Sequence, residues 1–450
     1  MSFPRYVDFK DSGVAWLGQI PRHWSLPKIK HIASFTGGGT PSRDNLQFWG
    51  GPIPWVSPKD MKVEEICEAE ESITALGLSN SSTSLVERGH VLLVVRSGIL
   101  KHTIPVAVNV VAVALNQDMK AVRFDPQRCT SSFFSRWVQG LNDQLLLAWA
   151  KQGATVESIE HGYMAESIIP LPPLGEQAAI DRFLDHETSK IDALVEEQRL
   201  LIELLKEKRQ AVISQAVTKG LNPSVPMKDS GVEWLGKVPA HWEVMALRRC
   251  AKSVETGGTP SAYPPATDLE DGFVWFTPGD FGESLVLSTS ARKITQSSVE
   301  SGDVKIFAAG SVLVVSIGAT LGKVGFAPTP SSANQQINAV IPNSRANGCF
   351  LAWSLRAKAE VMRFLSNSST IGIMNQEKTK DIWLALPPIS EQVSIAAKLD
   401  RLTEELDRLT DEAQAAVELL QERRSALISA AVTGKIDVRG LVPQPETVAA

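Results

Sequence analysis

Few side chains in this chain stand at spacings that support a reaction, and each candidate motif fails at a nameable position. "GATLGKV" (Gly318 to Val324) looks like a phosphate loop. It is one residue short of GxxxxGK and lacks the following Ser or Thr. "TGGGTPS" (Thr36 to Ser42) misses the dinucleotide-binding GxGxxG pattern, because Ser42 occupies the place of the third glycine. Both segments read instead as turns and sites of close backbone approach. A methyltransferase would need a cofactor loop and a (D/N)PP(Y/F) tetrapeptide, yet the nearest strings, "LPPL" and "LPPI", offer neither the amide nor the aromatic ring. "DVK" (Asp303 to Lys305) supplies one carboxylate and one lysine without an upstream metal-binding partner for nuclease chemistry. No HExxH, nucleophile elbow or metal-spaced histidine cluster occurs. His23 and His241 sit beside Trp24 and Trp242 and read as packing or hydrogen-bonding residues. The chain therefore carries no catalytic centre, no metal site and no cofactor site that its sequence can show.

The same inventory bounds the class of protein. At 450 residues the chain is too long for one ordinary core, so two or more domains are expected. Cys67, Cys129, Cys250 and Cys349 lie far apart with no CxxC, which argues against zinc and against a disulfide framework. The most apolar stretch, Ile104 to Leu115, is far below the roughly 20 residues a membrane helix needs. No secretory leader is visible, so a cytoplasmic protein without membrane attachment is expected.

The elements that must position any functional side chain are written twice. "DSGVAWLG" at Asp11 returns as "DSGVEWLG" at Asp229. "TGGGTPS" answers "TGGTPS" at Thr256, Asn116–Gln117 answers Asn334–Gln335, and "LPPLGEQ" at Leu171 answers "LPPISEQ" at Leu386. The order is kept while the offset drifts, which is a duplication with small loop insertions.

Within each copy the texture changes once. Short β-branched runs such as Val91 to Val95 and Val312 to Ser316 read as buried strands. After each Pro-Pro, no Gly or Pro interrupts Glu176 to Lys219 or Glu391 to Thr433, which predicts two long helices. Gly175 and Ser390 are expected as N-caps, Glu176 and Glu391 favour the helix dipole, and Gly220 and Gly434 are expected stops. A heptad seam runs through Ile180, Leu184, Glu187, Ile191, Leu194, Gln198, Leu201, Leu205, Lys208 and Val212. It recurs at the equivalent positions of the second copy through Ile395, Leu399, Leu402, Leu406, Leu409, Ala413, Ala416, Leu420, Arg423 and Leu427. A helix of this length, roughly 65 Å, outreaches a domain of this size, so each needs a partner. The intervening globular part cannot return the chain that far, which makes the pair antiparallel with a globular part at each end. The bland alternative is two amphipathic helices, each lying on its own domain.

The expected fold is thus α+β. Two mixed α/β globular domains, residues 1–170 and 224–388, are joined by two long helices forming an antiparallel coiled coil with a pseudo-twofold internal repeat. The helical segments are 171–223 and 389–434, and 435–450 is a flexible tail.

The paired markers "SGVxWLGxxPxHW", "TGGxTPS", "NQ" and "LPPxxEQ" together resemble the specificity subunits of type I restriction–modification systems. The resemblance covers nearly the whole chain in both copies. It implies two target recognition domains, each reading one half of a bipartite, asymmetric site in double-stranded DNA. It also implies a subunit without chemistry that docks two methyltransferase subunits and two restriction/translocase subunits. No cofactor is expected in this chain, and S-adenosylmethionine is expected in the methyltransferase partner.

DNA affinity rests on Lys and Arg contacts to phosphate, so the net charge of −5 must be located. The two globular parts are near neutral and the helical segments and tail carry the negative excess. Acids crowd into "EEICEAEE" (Glu64 to Glu71), leaving room for a basic face elsewhere in the first domain. Side chains able to read bases or phosphates are, in the first domain, Arg43, Ser57, Lys59, Arg96, Ser97, Lys101, His102, Asn116, Gln117, Lys151, Gln152 and Thr155. In the second they are Thr277, Arg292, Lys293, Ser316, Thr320, Lys323, Asn334, Gln335, Ser369, Thr370, Asn375, Gln376 and Lys378. Tyr6, Trp16, Trp24, Trp234 and Trp242 read as framework or partner-docking residues. Near-neutral ends keep a second reading open, a pseudo-symmetric coiled-coil scaffold that binds proteins and reads no DNA.

Overall fold

A computed structural model describes residues 3–151, 156–260, 272–366 and 372–441. Two compact units emerge, Met1–Gln198 with Ala415–Ala450, and Arg199–Gln414. Each unit holds one globular part, the front half of the long helix that follows it, and the rear half of the other long helix.

The β-branched runs become the buried middle of a sheet in each unit. In the first, the order is Ala33–Gly37, Met119–Phe124, Val91–Val94, Val106–Asn109 and Glu65–Ile66, antiparallel except for the last pairing. In the second, Ala251–Thr256, Ile337–Pro342, Ser311–Val315 and Val324–Ala327 repeat that order. A smaller sheet accompanies each, in which Trp49–Val56 runs parallel to Ala114–Leu115, and Phe273–Phe276 to Ser332–Ala333. The helix Ser131–Gly140 packs on the first large sheet. Thr130 caps it by accepting from the Phe133 amide, and it buries Phe133, Phe134, Trp137 and Val138. Each such side chain contributes about 1.5–3 kcal/mol by leaving water. The helix Gly348–Arg356 does the same work in the second unit with Phe350, Leu351 and Trp353.

The long helices span Leu174–Lys219 and Ile389–Val432. Both begin earlier than the sequence suggests, so Gly175 and Ser390 lie inside the first turn instead of capping it. The Pro173 carbonyl already accepts from Glu176 and Gln177, and Pro388 from Glu391 and Gln392. Pro173 and Pro388 are therefore the N-cap residues. The ends fall at Gly220 and Gly434, both in the left-handed region, with φ of 75° and 71°.

Half of the heptad seam is as the sequence reads it: Leu184, Ile191, Leu205, Leu399, Leu406, Ala413 and Leu427 are buried. The alternate row holds at its start, where Ile180 and Ile395 are buried, and is then shifted by one. Thr188, Val195, Ile202, Thr403 and Val417 are buried, whereas Leu194, Leu201 and Leu409 are exposed. A seam alternating four and three satisfies the same mean period as three and four, and the larger leucines misdirect the choice. Within each unit the two helix segments run antiparallel. Asp192 meets Arg424 in the first, and Arg209 meets Asp407 in the second. In the first unit Glu176 and Gly434 both meet Trp24, and in the second Gly220 lies beside Glu391, so within each unit residue numbers rise on one segment as they fall on the other.

Part of the expected flexible tail is packed. Ile436 and Val438 are buried in the first core, and the Asp437 amide donates to the Pro4 carbonyl. Residues 442–450 lie outside the described residues.

One core position differs between the copies in a way that predicts a stability change. Burial holds the Asp181 carboxyl at about 6, and its Oδ1 has no hydrogen-bond partner. The equivalent residue in the second copy is Ala396, which is buried. A carboxyl raised above its unfolded value favours the folded state while protonated. That contribution is complete below about pH 4 and is lost as pH rises to about 6. Asp181→Ala is therefore expected to stabilise the protein at pH 7.5 by about 2 kcal/mol and to flatten stability between pH 4 and 6, as read by urea unfolding.

Candidate nucleic-acid interface

In both copies the duplicated motifs converge on one construction. Trp55 Nε1 donates to the Gly39 carbonyl at 2.9 Å, and Trp275 Nε1 to Gly258 at 3.0 Å. A Cβ on Gly38 would stand 1.9 Å from the Asn116 carbonyl, and one on Gly257 would stand 2.2 Å from that of Ala333. The glycine pair therefore lets the "TGG" strand end touch the "NQ" turn, which explains why both motifs recur together. Asn116 and Asn334 are buried and close that turn by accepting the amides of Asp118 and Gln336 at 2.9 and 3.0 Å. Thr40 and Thr259 donate their hydroxyls to the exposed amides of Gln117 and Gln335. Neither threonine is among the candidates above, although its place before Pro in both copies is a visible signal.

Next to this turn stands a second shared element. Ser57 and Thr277 each donate backbone amide and hydroxyl to Asp60 and Asp280, at 2.7–2.8 Å. The tips of these twin turns differ: Lys59 is exposed in the first copy, and Gly279 takes its place in the second.

The remaining candidates divide into those presented to solvent and those consumed by the framework. Arg43 lies 4.0 Å from the Trp49 ring centroid and forks onto Glu71, with Nη2 2.9 Å from Oε2. That hydrogen-bonded pairing holds Glu71 below the usual carboxylate range and raises Arg43. Ser97 caps the turn Gly98–Lys101, and Asn375 caps Gln376–Lys380. Ser316 is buried, donating to the Gln336 carbonyl at 2.9 Å, and Lys323 donates to that of Phe281 at 2.7 Å. Arg96 is exposed but paired with Asp118 at 2.6 Å. Lys101, His102, Arg292, Lys293 and Lys378 are exposed, and Thr320 is half-buried. Gln152, Thr155, Ser369 and Thr370 lie outside the described residues.

Several of these are brought together although far apart in sequence. Arg96 bridges Ser158 and Ala150 bridges Ile159, which sets Arg96, Ser97 and Lys151 on neighbouring loops at the exit of the central strand. The second copy joins Ile317 to Ile373 at the same exit. There a cleft of about 380 Å³ gathers Ser316, Gln335, Asn375 and Gln376 with Thr256 and Asn338. Lys59 and Ser97 line a cleft of about 530 Å³ in the first unit. Burial holds the nearby Lys120 ammonium below its ordinary value. The arrangement offers hydrogen-bond donors and acceptors. Among the described residues no group of three or more His, Cys, Asp or Glu side chains is placed to hold a metal ion, and no helix is long and apolar enough to cross a membrane.

The family model for the type I restriction modification DNA specificity domain matches residues 21–204 and again residues 239–419. The chain belongs to that family. Specificity subunits are the non-catalytic, target-recognising members of type I restriction–modification systems, and the chain is one of them. It is 24% identical over 446 residues to the MjaIX specificity subunit of Methanocaldococcus jannaschii, covering 97% of this chain and 98% of that one. It is 33% identical over 191 residues to the EcoR124I/EcoR124II specificity subunit of Escherichia coli, a match spanning 42% of this chain and 45% of that relative. Solved structures share the fold. A chain from a type I R-M system has a TM-score of 0.66 at 19% identity, covering 93% of this chain and 99% of that chain. The HsdS subunit from Thermoanaerobacter tengcongensis has a TM-score of 0.54 at 15% identity, covering 93% and 98%.

Proposed function

We propose that this specificity subunit reads a bipartite, asymmetric target in double-stranded DNA, one half-site per recognition domain. It does so within an assembly with two methyltransferase subunits and two restriction/translocase subunits. The observation that carries the reading is the pairing of one framework with unlike tips. The tryptophan, glycine and Asn-Gln elements coincide between the copies, while Lys59 faces solvent where the other copy has Gly279. A shared frame serves identical partners, and different tips select different bases. Docking is supported by Trp16 and Trp234, which stand 37% and 36% exposed at the same place in both copies. Leu204 and Leu419, also equivalent, are exposed on the long helices. S-adenosylmethionine belongs to the methyltransferase partner in this reading.

Lys59→Ala is expected to weaken DNA binding by the assembled complex without dissolving it. A lost phosphate contact lowers the slope of log affinity against log salt by about one. An unchanged slope would remove Lys59 from the interface. A complex with no preference for any sequence over random duplex would favour the protein-binding scaffold instead.

A further inference from the structure

Each unit contains the same charged crosslink between its recognition domain and both of its helix segments. In the first, Arg424 sets Nε 2.9 Å and Nη2 3.3 Å from the Asp192 carboxylate, and Nη2 also lies 3.2 Å from Glu64. In the second, Arg209 sets Nε 2.8 Å and Nη2 3.4 Å from Asp407, with Nη1 3.7 Å from Glu283 and Nη2 2.9 Å from the Glu283 carbonyl. Arg209 and Arg424 occupy equivalent positions in the two copies, as do Asp192 and Asp407. Glu64 and Glu283 both follow the twin turns closed by Asp60 and Asp280. The third leg of each crosslink is thus the loop next to the tip that differs between the copies.

This is more than incidental surface pairing. The Arg209 side chain is only 12% exposed, and a guanidinium forked across two carboxylate oxygens fixes direction as well as distance. Apolar packing seats each domain on its helices, and the forked guanidinium adds a directional constraint at the loop beside the differing tip. A second crosslink lies alongside with its geometry kept and its chemistry changed. Arg136 meets Asp185 at 2.9 Å in the first unit, and Trp353 Nε1 donates to Asp400 at 2.8 Å in the second. Asp185 and Asp400 are again equivalent positions of the repeat. What the two copies share is the link between domain and helix, whatever donor makes it.

We propose that this repeated arginine clamp sets the angle of each recognition domain on its helix segments, and so fixes the spacing between half-sites that the protein accepts. Arg209 and Arg424 are positioning residues for DNA reading. They touch no base and act through the loops of Glu64 and Glu283. The proposal rests on the bipartite reading above.

The test uses the assembled complex and duplexes carrying the two mapped half-sites, with the native gap or a gap changed by one base pair. Arg209→Lys combined with Arg424→Lys keeps the charge and removes the fork. Its ratio of affinities for native over altered gaps is expected to fall at least about fivefold, the equivalent of roughly 1 kcal/mol. A variant that loses affinity equally for all gaps, or keeps the wild-type ratio, overturns the clamp. Asp192→Asn combined with Asp407→Asn, near-isosteric, is expected to give the same fall. This second pair keeps the clamp falsifiable should the lysine pair not fold. A wild-type complex indifferent to the gap would overturn the bipartite reading itself, an outcome distinct from failure of the clamp alone.

Discussion

Gln177→Leu is expected to destabilise the protein by about 3 kcal/mol or more, and Gln392→Leu by a similar amount. Gln177 is fully buried. Its Oε1 accepts from the Thr130 amide at 2.9 Å, and its Nε2 donates to the carbonyls of Arg128 and Pro172 at 2.8 and 2.9 Å. Gln392 repeats all three bonds with Asn347, Arg345 and Pro387 at 2.8–2.9 Å. One amide thus ties the start of a long helix to the N-terminal end of the helix that carries the domain's aromatic core. Leucine fits the volume but leaves one buried carbonyl and two part-buried backbone groups without their partner, the buried one alone costing about 1–3 kcal/mol. Against a typical total of about 5–15 kcal/mol that is a large fraction. Urea unfolding followed by tryptophan fluorescence measures it. Gln210→Leu, on an exposed helix face, is the control and is expected to stay within about 0.5 kcal/mol.

The neighbouring Glu176 shows the same logic with a difference between the copies. It receives the Tyr6 hydroxyl, Trp24 Nε1 at 3.0 Å and His23 Nε2 at 2.8 Å. Burial and the adjacent carboxylate push the Tyr6 phenol far above its ordinary range. Glu391 keeps the histidine, His241 at 2.9 Å, while the buried Trp242 Nε1 has no hydrogen-bond partner.

The largest functional effect is expected from exchanging one recognition domain for a second copy of the other. Residues 239–388 would be replaced by 21–173, with joints at Pro239/Pro21 and Pro388/Pro173. Those joints lie in matching strands and at matching helix starts, so the shared hydrogen bonds of the framework survive the exchange. The assembled complex is then expected to recognise a symmetric target made of two inverted copies of the first half-site. Its affinity for the original target should fall by about 10³-fold or more, since each mismatched base pair costs about 1–3 kcal/mol. Retention of the original target would mean that the exchanged domain reads no bases.

The duplication, the strands and the helix pairing were legible because they follow from repeated words and periodic apolar residues. The EQ motif was legible as a helix start, but the role of Gln177 was not, because its partners Thr130 and Arg128 are distant in sequence. The arginine clamp was hidden by the one-residue shift of the seam, which placed Lys208 and Arg423 inward where Arg209 and Arg424 belong. Site candidates were blurred by chemistry. Ser57, Thr277, Ser97, Asn375, Asn116 and Asn334 are of types that read bases, and those same types cap turns and helices. Ser97, Asn375, Asn116 and Asn334 accept from nearby backbone amides, and the Ser57 and Thr277 hydroxyls donate to the Asp60 and Asp280 carboxylates. Charge was blurred likewise. Glu64 and Glu71 belong to the acidic run, yet both are engaged by arginines.

Mapping every methylated position on DNA modified by the wild-type complex puts the two-headed reading to its plainest trial. Two unlike blocks of defined bases, separated by an undefined gap of constant length, are the predicted result. One continuous block, a palindrome, or a gap of variable length would contradict it.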